Sequence, residues 1–323
     1  MRTASGILLA AAIVASATTW AAEPGYPSKP IRIIVAQTAG GISDLLARTF
    51  AQKFSEAWKQ PAVVENRAGA GGAIGTEVAA KAPADGYTLL LSSAGPIVIN
   101  QSLYRKLGYD PIKDLLPITF IATSPLVLVT HPSVPAKSVK ELIALAKARA
   151  GSLTYGSGGS GSPPHLTAEL FKAATHTDII HVPFKGSGPS VIAVVAGQID
   201  LSFSTVVLTL PQINASRLRA LAVTSPKHSK VLPNLPTMIE AGVPGFESQQ
   251  WFALFGQTGL PKDIVAKVNG EAMRIMQSPE FRERIANDGG EPGALSQEQF
   301  AAFIRVDAAR WAKVVKESGA KAE

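Results

Sequence analysis

Three Gly/Ser-rich stretches place small hydrogen-bonding residues where a strand gives way to a helix. They are Ala36-Gln37-Thr38-Ala39-Gly40-Gly41-Ile42-Ser43-Asp44, Gly156-Ser157-Gly158-Gly159-Ser160-Gly161-Ser162-Pro163-Pro164-His165, and Phe184-Lys185-Gly186-Ser187-Gly188-Pro189. A helix that starts at such a loop presents unpaired backbone N–H groups and about half a positive charge, and glycine lets an anion approach the backbone closely. Read one at a time, each loop is equally a tight turn with a cap at Ser43, Asp44 or Ser162. Three of them, drawn from both halves of the chain, point instead to cradles for a small anion. Asp44 opens a helix, where a carboxylate caps N–H groups, so capping is its expected first task. Lys185 in the third loop and Ser92, just past another strand, join the candidate set, while Glu65-Asn66-Arg67 reads as a turn with a local ion pair.

Other chemistries find no support. Gly69-Ala70-Gly71-Gly72-Ala73-Ile74-Gly75 follows a strand, but the sixth position counted from Gly69 is Ile74, so the dinucleotide fingerprint fails on spacing. There is no GKS or GKT for a phosphate loop and no GxSxG elbow, since Gly161 is followed by Ser162. The histidines at 131, 165, 176, 181 and 228 form no HxH or HxxxH pair, and there is no cysteine. No catalytic residue, metal or cofactor is expected, and a secreted enzyme is the weakest reading.

These loops need elements to hold them. Short β-branched runs alternate with helical spacing: strands at Ile31–Val35, Ala62–Glu65 and Tyr87–Leu91 enclose helices from Asp44 to Trp58 and from near Ile74. The cycle restarts after Pro125, with strands Leu126–Thr130, Leu153–Tyr155, Ile179–Val182 and Asp200–Phe203 and helices Val139–Ala148, Pro164–Ala174 and Pro189–Ala196. Such alternation means parallel sheets with helical crossovers. A Pro-rich passage then leads to an apolar strand at Trp251–Phe255 and three helices, Lys262–Met276, Pro279–Ala286 and Gln297–Glu317. The expected architecture is α/β in two lobes. Domain I takes 27–124 plus 248–323 and domain II takes 125–247, and the two crossings make a hinge with a ligand cleft between the lobes.

Composition agrees with a folded two-lobe protein: 323 residues, 46% hydrophobic and 17% charged, at roughly 150 residues per domain. The net charge of +7 is too sparse for a nucleic-acid face. Residues 1–22 read as a signal peptide, with Arg2 as the positive n-region, Ile7–Val14 as the apolar segment, and cleavage near Ala21/Ala22. That segment is shorter than the ~20 residues of a membrane span and is broken by Ser16, Thr18 and Thr19. With no cysteine for lipid attachment, a freely diffusing periplasmic monomer is expected.

At this point the motifs converge. Tyr26-Pro27-Ser28-Lys29-Pro30-Ile31, Gly40-Gly41-Ile42-Ser43-Asp44, Val64-Glu65-Asn66-Arg67-Ala68-Gly69-Ala70-Gly71-Gly72, Asp85-Gly86-Tyr87-Thr88-Leu89-Leu90 and His181-Val182-Pro183-Phe184-Lys185-Gly186 resemble the Bug family. These are the TctC-like solute-binding proteins of tripartite tricarboxylate transporters, and the resemblance runs over almost the whole chain after the leader. It implies a type II periplasmic binding protein that closes on a small organic carboxylate and delivers it to membrane transporter subunits. The carboxylate is held by backbone amides and waters of two pincer loops. Carried over, these are Gly40, Gly41, Ser43 and Asp44 on one side, and Ser157, Gly158, Gly161 and Ser162 on the other. A sensory role, with the liganded protein docking on a receptor, fits the same resemblance; the ligand domain of a transcription factor does not, because the signal peptide occupies the place of its helix-turn-helix.

Two departures bear on the ligand. Ala36, Gln37 and Ala39 replace the prolines and aromatic ring common in the family's first loop, so Gln37 brings an amide. Ser204 stands where the family often has an acid, which removes the partner for a ligand ammonium group. The expected ligand is therefore a di-, tri- or aromatic carboxylate without an amino group, with Gln37 and Ser204 at its variable end.

Overall fold

The computed structural model describes residues 25–287, 289–318 and 320. The expected signal peptide lies outside them. In the first part of the chain, β1 (Ile31–Val35), α1 (Ile42–Trp58), β2 (Ala62–Asn66), α2 (Ala73–Ala80) and β3 (Thr88–Ser93) build a parallel βαβαβ unit. A π-helical turn at Gly95–Ile99 and the short α3 (Asn100–Leu103) lead to β4 (Leu115–Thr130). Next come α4 (Val139–Ala148), β5 (Thr154–Ser157), α5 (Pro163–Thr175), β6 (Ile180–Pro183), α6 (Ser187–Val195), β7 (Leu201–Thr205), α7 (Val206–Asn214) and β8 (Arg219–Val223). The chain closes with β9 (Gln249–Gln257), α8 (Lys262–Gln277), α9 (Pro279–Asn287), β10 (Glu291–Pro292) and α10 (Gln297–Ser318).

Strand order is β2-β1-β3-β9-β4-β7-β5-β6, with β8 and β10 pairing β4. The 16-residue β4 serves two sheets. Its first part, Leu115 to Pro125, runs antiparallel to β9, and Leu126–Thr130 then pairs with β7 and β8. The partner changes at Pro125, whose missing N–H makes it a poor ladder donor. The sequence pattern predicts a separate strand from Leu126. It is instead the second half of one long strand, whose first half is disguised by Pro117, Thr119, Thr123 and Ser124.

Both lobes bury two apolar layers, one on each face of their sheet, and strand alternation sorts the residues. Ile31, Ile33, Val35, Leu89, Leu91, Phe252 and Leu254 face one layer with Leu46, Phe50 and Phe54 of α1. Ile34, Leu90, Trp251, Ala253 and Phe255 face the other, with Phe300 and Trp311 of α10. In the second lobe Leu126 and Leu128 point to one layer and Val127 and Val129 to the other. Near-continuous hydrophobic strands covered on both faces are what a buried α/β sheet requires. Such a sheet exposes only the loops at its strand ends, and those loops carry the site.

Candidate ligand-binding cleft

The C-terminal ends of β1, β2 and β3 in one lobe face those of β5, β6 and β7 in the other across a cleft. Five helix N-termini reach it: Gly41, Ile42 and Ser43 at α1, Gly72 at α2, Ser162 and Pro163 at α5, Gly186, Ser187 and Gly188 at α6, and Thr205 at α7. None of the five has a side-chain cap. By contrast, Ser138 at the start of α4, away from the cleft, accepts from Glu141 N at 3.2 Å, while Glu141 Oε2 accepts from Lys137 N at 2.7 Å. In α1 the first helical bond is Leu45 N to Gly41 O, which leaves the N–H groups of Ile42, Ser43 and Asp44 outside the ladder.

The side chains repeat the pattern. Ser162 and Thr205 are only 8% and 4% exposed, yet Ser162 Oγ and Thr205 Oγ1 have no hydrogen-bond partner. These residues occupy cap positions without capping. Gln37 Nε2 donates to Ser93 Oγ at 2.9 Å, and Gln37 Oε1 is buried and unpartnered. Buried polar atoms are normally satisfied; others without a partner lie elsewhere in the fold, among them Thr76 Oγ1, Thr130 Oγ1 and Ser202 Oγ, but the three here stand beside uncapped helix ends, where a polar ligand would meet them. Among the described residues lining the cleft, Lys185 is the one charged side chain and no carboxylate is present. Five helix dipoles and one ammonium group favour an anion.

Of the residues expected from sequence, Gln37, Gly41, Ser43, Gly158, Ser162 and Lys185 line the cleft. The others do not line it: Gly40 is exposed, and Asp44, Ser92, Ser157, Gly161 and Ser204 lie behind the cleft wall. Asp44 Oδ2 accepts from Gly40 N and Arg48 Nε, both at 3.0 Å. Burial raises its pKa, but the Arg48 and Gly40 contacts outweigh that and hold it below the usual carboxylate value. Asp44 therefore shapes the Gly40 turn as a paired carboxylate. Ser157 hydrogen-bonds His181, and Gly161 donates to His165 Nδ1. Gly161 has φ +84°, and a Cβ there would collide with Asn100 Oδ1 of the opposite lobe. Ser92 and Ser204 each point away, and the next residue along, Ser93 or Thr205, lines the cleft instead. Side chains alternate along a strand, so a slip of one residue changes face.

Sequence reasoning missed Thr205, Leu208 and Gln250, and gave no role to Gly69, Gly71 and Gly72, which line the cleft after β2. The failed dinucleotide match at Gly69 was the available signal: glycines placed for close approach, without that cofactor's spacing. Thr205 carried a signal too, as a threonine ending a strand.

Two lobes joined by shared strands, with uncapped helix ends around a carboxylate-free cleft, define a periplasmic-binding-protein type of molecule with the type II fold. The chain belongs to the family described as tripartite tricarboxylate transporter family receptor (TctC), which matches residues 46–320. It is 39% identical to BugT of Bordetella pertussis over 317 residues, covering 98% of this chain and 96% of BugT. Among solved structures, Rpa4515 of R. palustris with adipate is 36% identical with a TM-score of 0.89, covering 92% of this chain and 100% of that one. The periplasmic binding protein BugD is 32% identical with a TM-score of 0.87, at 92% and 100% coverage.

Proposed function

We propose that this protein is exported to the periplasm, captures a small carboxylate without an amino group between its lobes, and delivers it to the membrane subunits of a tripartite tricarboxylate-type transporter. Export rests on the leader pattern at residues 1–22. The lobes are assigned as 27–124 plus 248–323 and 125–247, a division supported by the change of β4 partners after Pro125. The observation that carries the ligand reading is the cleft wall: five uncapped helix N-termini, the unpartnered hydroxyls of Ser162 and Thr205, one lysine and no acid. A solved relative with adipate bound is consistent with it. An α-ammonium group would find no counter-charge on this wall, and burying it unpaired is costly.

The magnitudes suffice. Four hydrogen bonds to one carboxylate, at about 1.5–3 kcal/mol each, gain roughly 6–12 kcal/mol. Immobilisation removes at least about 4 kcal/mol. The difference extends to the roughly 8 kcal/mol of a micromolar complex.

The test is calorimetry on the purified protein with adipate, succinate, malate, citrate and benzoate against aspartate and glutamate, backed by mass spectrometry of small molecules carried through purification. At least one non-amino carboxylate binds with micromolar or better affinity, and the amino acids bind at least tenfold more weakly. Tight binding of an amino acid with no response to the other acids overturns the reading.

A further inference from the structure

The loop Ser157–Ser162 is held from behind by two stacked histidines that never reach the cleft. His181 on β6 lies opposite Tyr155 on β5 in the parallel register, and their rings stack at 4.8 Å and 20°. His165, in the first turn of α5, stacks on His181 at 4.1 Å and 22° and lies 6.4 Å from Tyr155 at 13°. Each histidine grips one end of the loop. His181 Nε2 lies 2.7 Å from Ser157 Oγ, which itself accepts from Gly159 N at 3.1 Å. Gly161 N donates to His165 Nδ1 at 3.2 Å.

That second contact fixes a protonation state. A backbone N–H is always the donor, so Nδ1 of His165 must carry a lone pair and the ring must be neutral with its hydrogen on Nε2. Burial favours the neutral form, and His165 is 3% exposed. The charged and titratable groups around the stack among the described residues are Tyr155, Glu169 and Lys172. Tyr155 Oη donates to Glu169 Oε1 at 2.6 Å, and Lys172 Nζ donates to the same oxygen at 2.8 Å. Glu169 is thus already paired with Tyr155 and Lys172, and its remaining pull on His181 is outweighed by burial.

The loop they hold has two duties. Gly158 and Ser162 line the cleft, while Ser160 O accepts from Tyr104 Oη of the opposite lobe at 3.2 Å. Gly161 O meets Gly95 of that lobe so closely that a Cβ on Gly95 would lie 2.8 Å from it.

We propose that His165 and His181 are positioning residues of the ligand site: as neutral rings they splint the Ser157–Ser162 loop in the one shape that both receives the anion and meets the opposite lobe on closure. The proposal rests on the cleft being the ligand site, but its first readout needs no ligand.

The experiment is hydrogen exchange of the ligand-free protein at pH 7.5, read over residues 157–162, in the wild type, His165→Leu and His165→Asn. Leucine keeps bulk and removes the acceptor, and asparagine returns an acceptor oxygen near the Nδ1 position. Exchange in the loop rises at least tenfold in His165→Leu and returns to within threefold of wild type in His165→Asn, with the Gln249–Gln257 strand unchanged in both. His181→Gln, which keeps a hydrogen-bonding atom near Nε2, behaves like His165→Asn, and His181→Phe, which keeps only the stack, behaves like His165→Leu. Equal exchange in wild type and His165→Leu overturns the proposal, as does an asparagine variant as open as the leucine one. Nitrogen NMR of wild-type His165 is an independent measurement that stands even if a variant fails to fold: the Nε2–H tautomer supports the splint, and the Nδ1–H tautomer overturns it. Affinity for adipate, measured in parallel, falls at least tenfold in His165→Leu and is restored in His165→Asn; adipate bound equally by wild type and His165→Leu overturns the proposal. Failure of every carboxylate to bind, with the exchange pattern intact, removes the ligand reading and leaves the splint standing.

Discussion

Burial takes His165 down to about 4 from an ordinary 6.5, and the nearby Lys172 charge pushes the same way. His181 falls to about 3 for the same first reason, with His165 and Lys172 adding to it against Glu169. Above pH 6.5 both states of the protein hold these rings neutral, and they contribute nothing to the pH dependence. As pH falls below 6.5 the unfolded chain takes up protons that the folded protein refuses until about pH 4, so stability drops across that window. For the buried His165 the loss is on the order of 3 kcal/mol. Urea unfolding of wild type and His165→Asn between pH 7.5 and pH 4 measures it. Wild type loses on the order of 3 kcal/mol more than the variant across the window; parallel declines count against the burial argument. The residue scale also shows where sequence reading reaches its limit. Gln37, Gly41, Ser43, Gly158, Ser162 and Lys185 were legible as cleft-lining positions because they sit in Gly/Ser-rich loops that end a strand and come from both lobes. Ser93 and Thr205 were not, because choosing between adjacent serines and threonines requires the strand's facing, which only the sheet sets.

At the scale of elements, the uncapped helices suggest a trade between stability and binding. A serine or threonine at an N-cap usually stabilises through its side chain, but Ser162 and Thr205 make no such bond. Their hydroxyls are buried without partners, a cost of about 1 kcal/mol each. Ser162→Ala and Thr205→Val should therefore stabilise the ligand-free protein by about 1 kcal/mol apiece, raising the melting temperature by about 2 °C. The same changes should weaken carboxylate binding roughly tenfold to a hundredfold, by removing a hydrogen bond to a charged group. Differential scanning fluorimetry and calorimetry read the two effects, and a variant that melts lower without ligand shows the hydroxyl to be structural. Most elements were legible because their periods are strong: α4 spans the expected Val139–Ala148. Helix α7 is missing from the elements expected from the sequence, where Pro211 interrupts its helical pattern. In the structure Pro211 sits inside the helix, and Thr209 Oγ1 donates to Thr205 O at 3.0 Å near its start.

At the scale of the molecule, β4 and β9 run side by side from one lobe to the border of the other, with Pro125 opposite Gln249. A bend at that border is the motion expected to change the distance between the lobes while leaving either core intact. The contacts from Tyr104 to Ser160 O, and from Thr38 to Gly186, where any Cβ would strike the threonine side chain, bridge the cleft. They form only when the lobes are together. Removing one should leave the open protein and the first encounter with ligand unchanged and should loosen the closed complex. Tyr104→Phe deletes one hydrogen bond worth about 0.5–1.5 kcal/mol net. The dissociation rate should rise roughly twofold to twelvefold while the association rate stays within about twofold, the usual division for a contact made after encounter. Stopped-flow fluorescence, with the buried Trp251 and Trp311 as reporters, measures both rates using whichever carboxylate the calorimetric panel identifies. A slower association with unchanged dissociation would place the Tyr104 contact in the open state, and the lobes could not then be closing on the ligand in the manner argued.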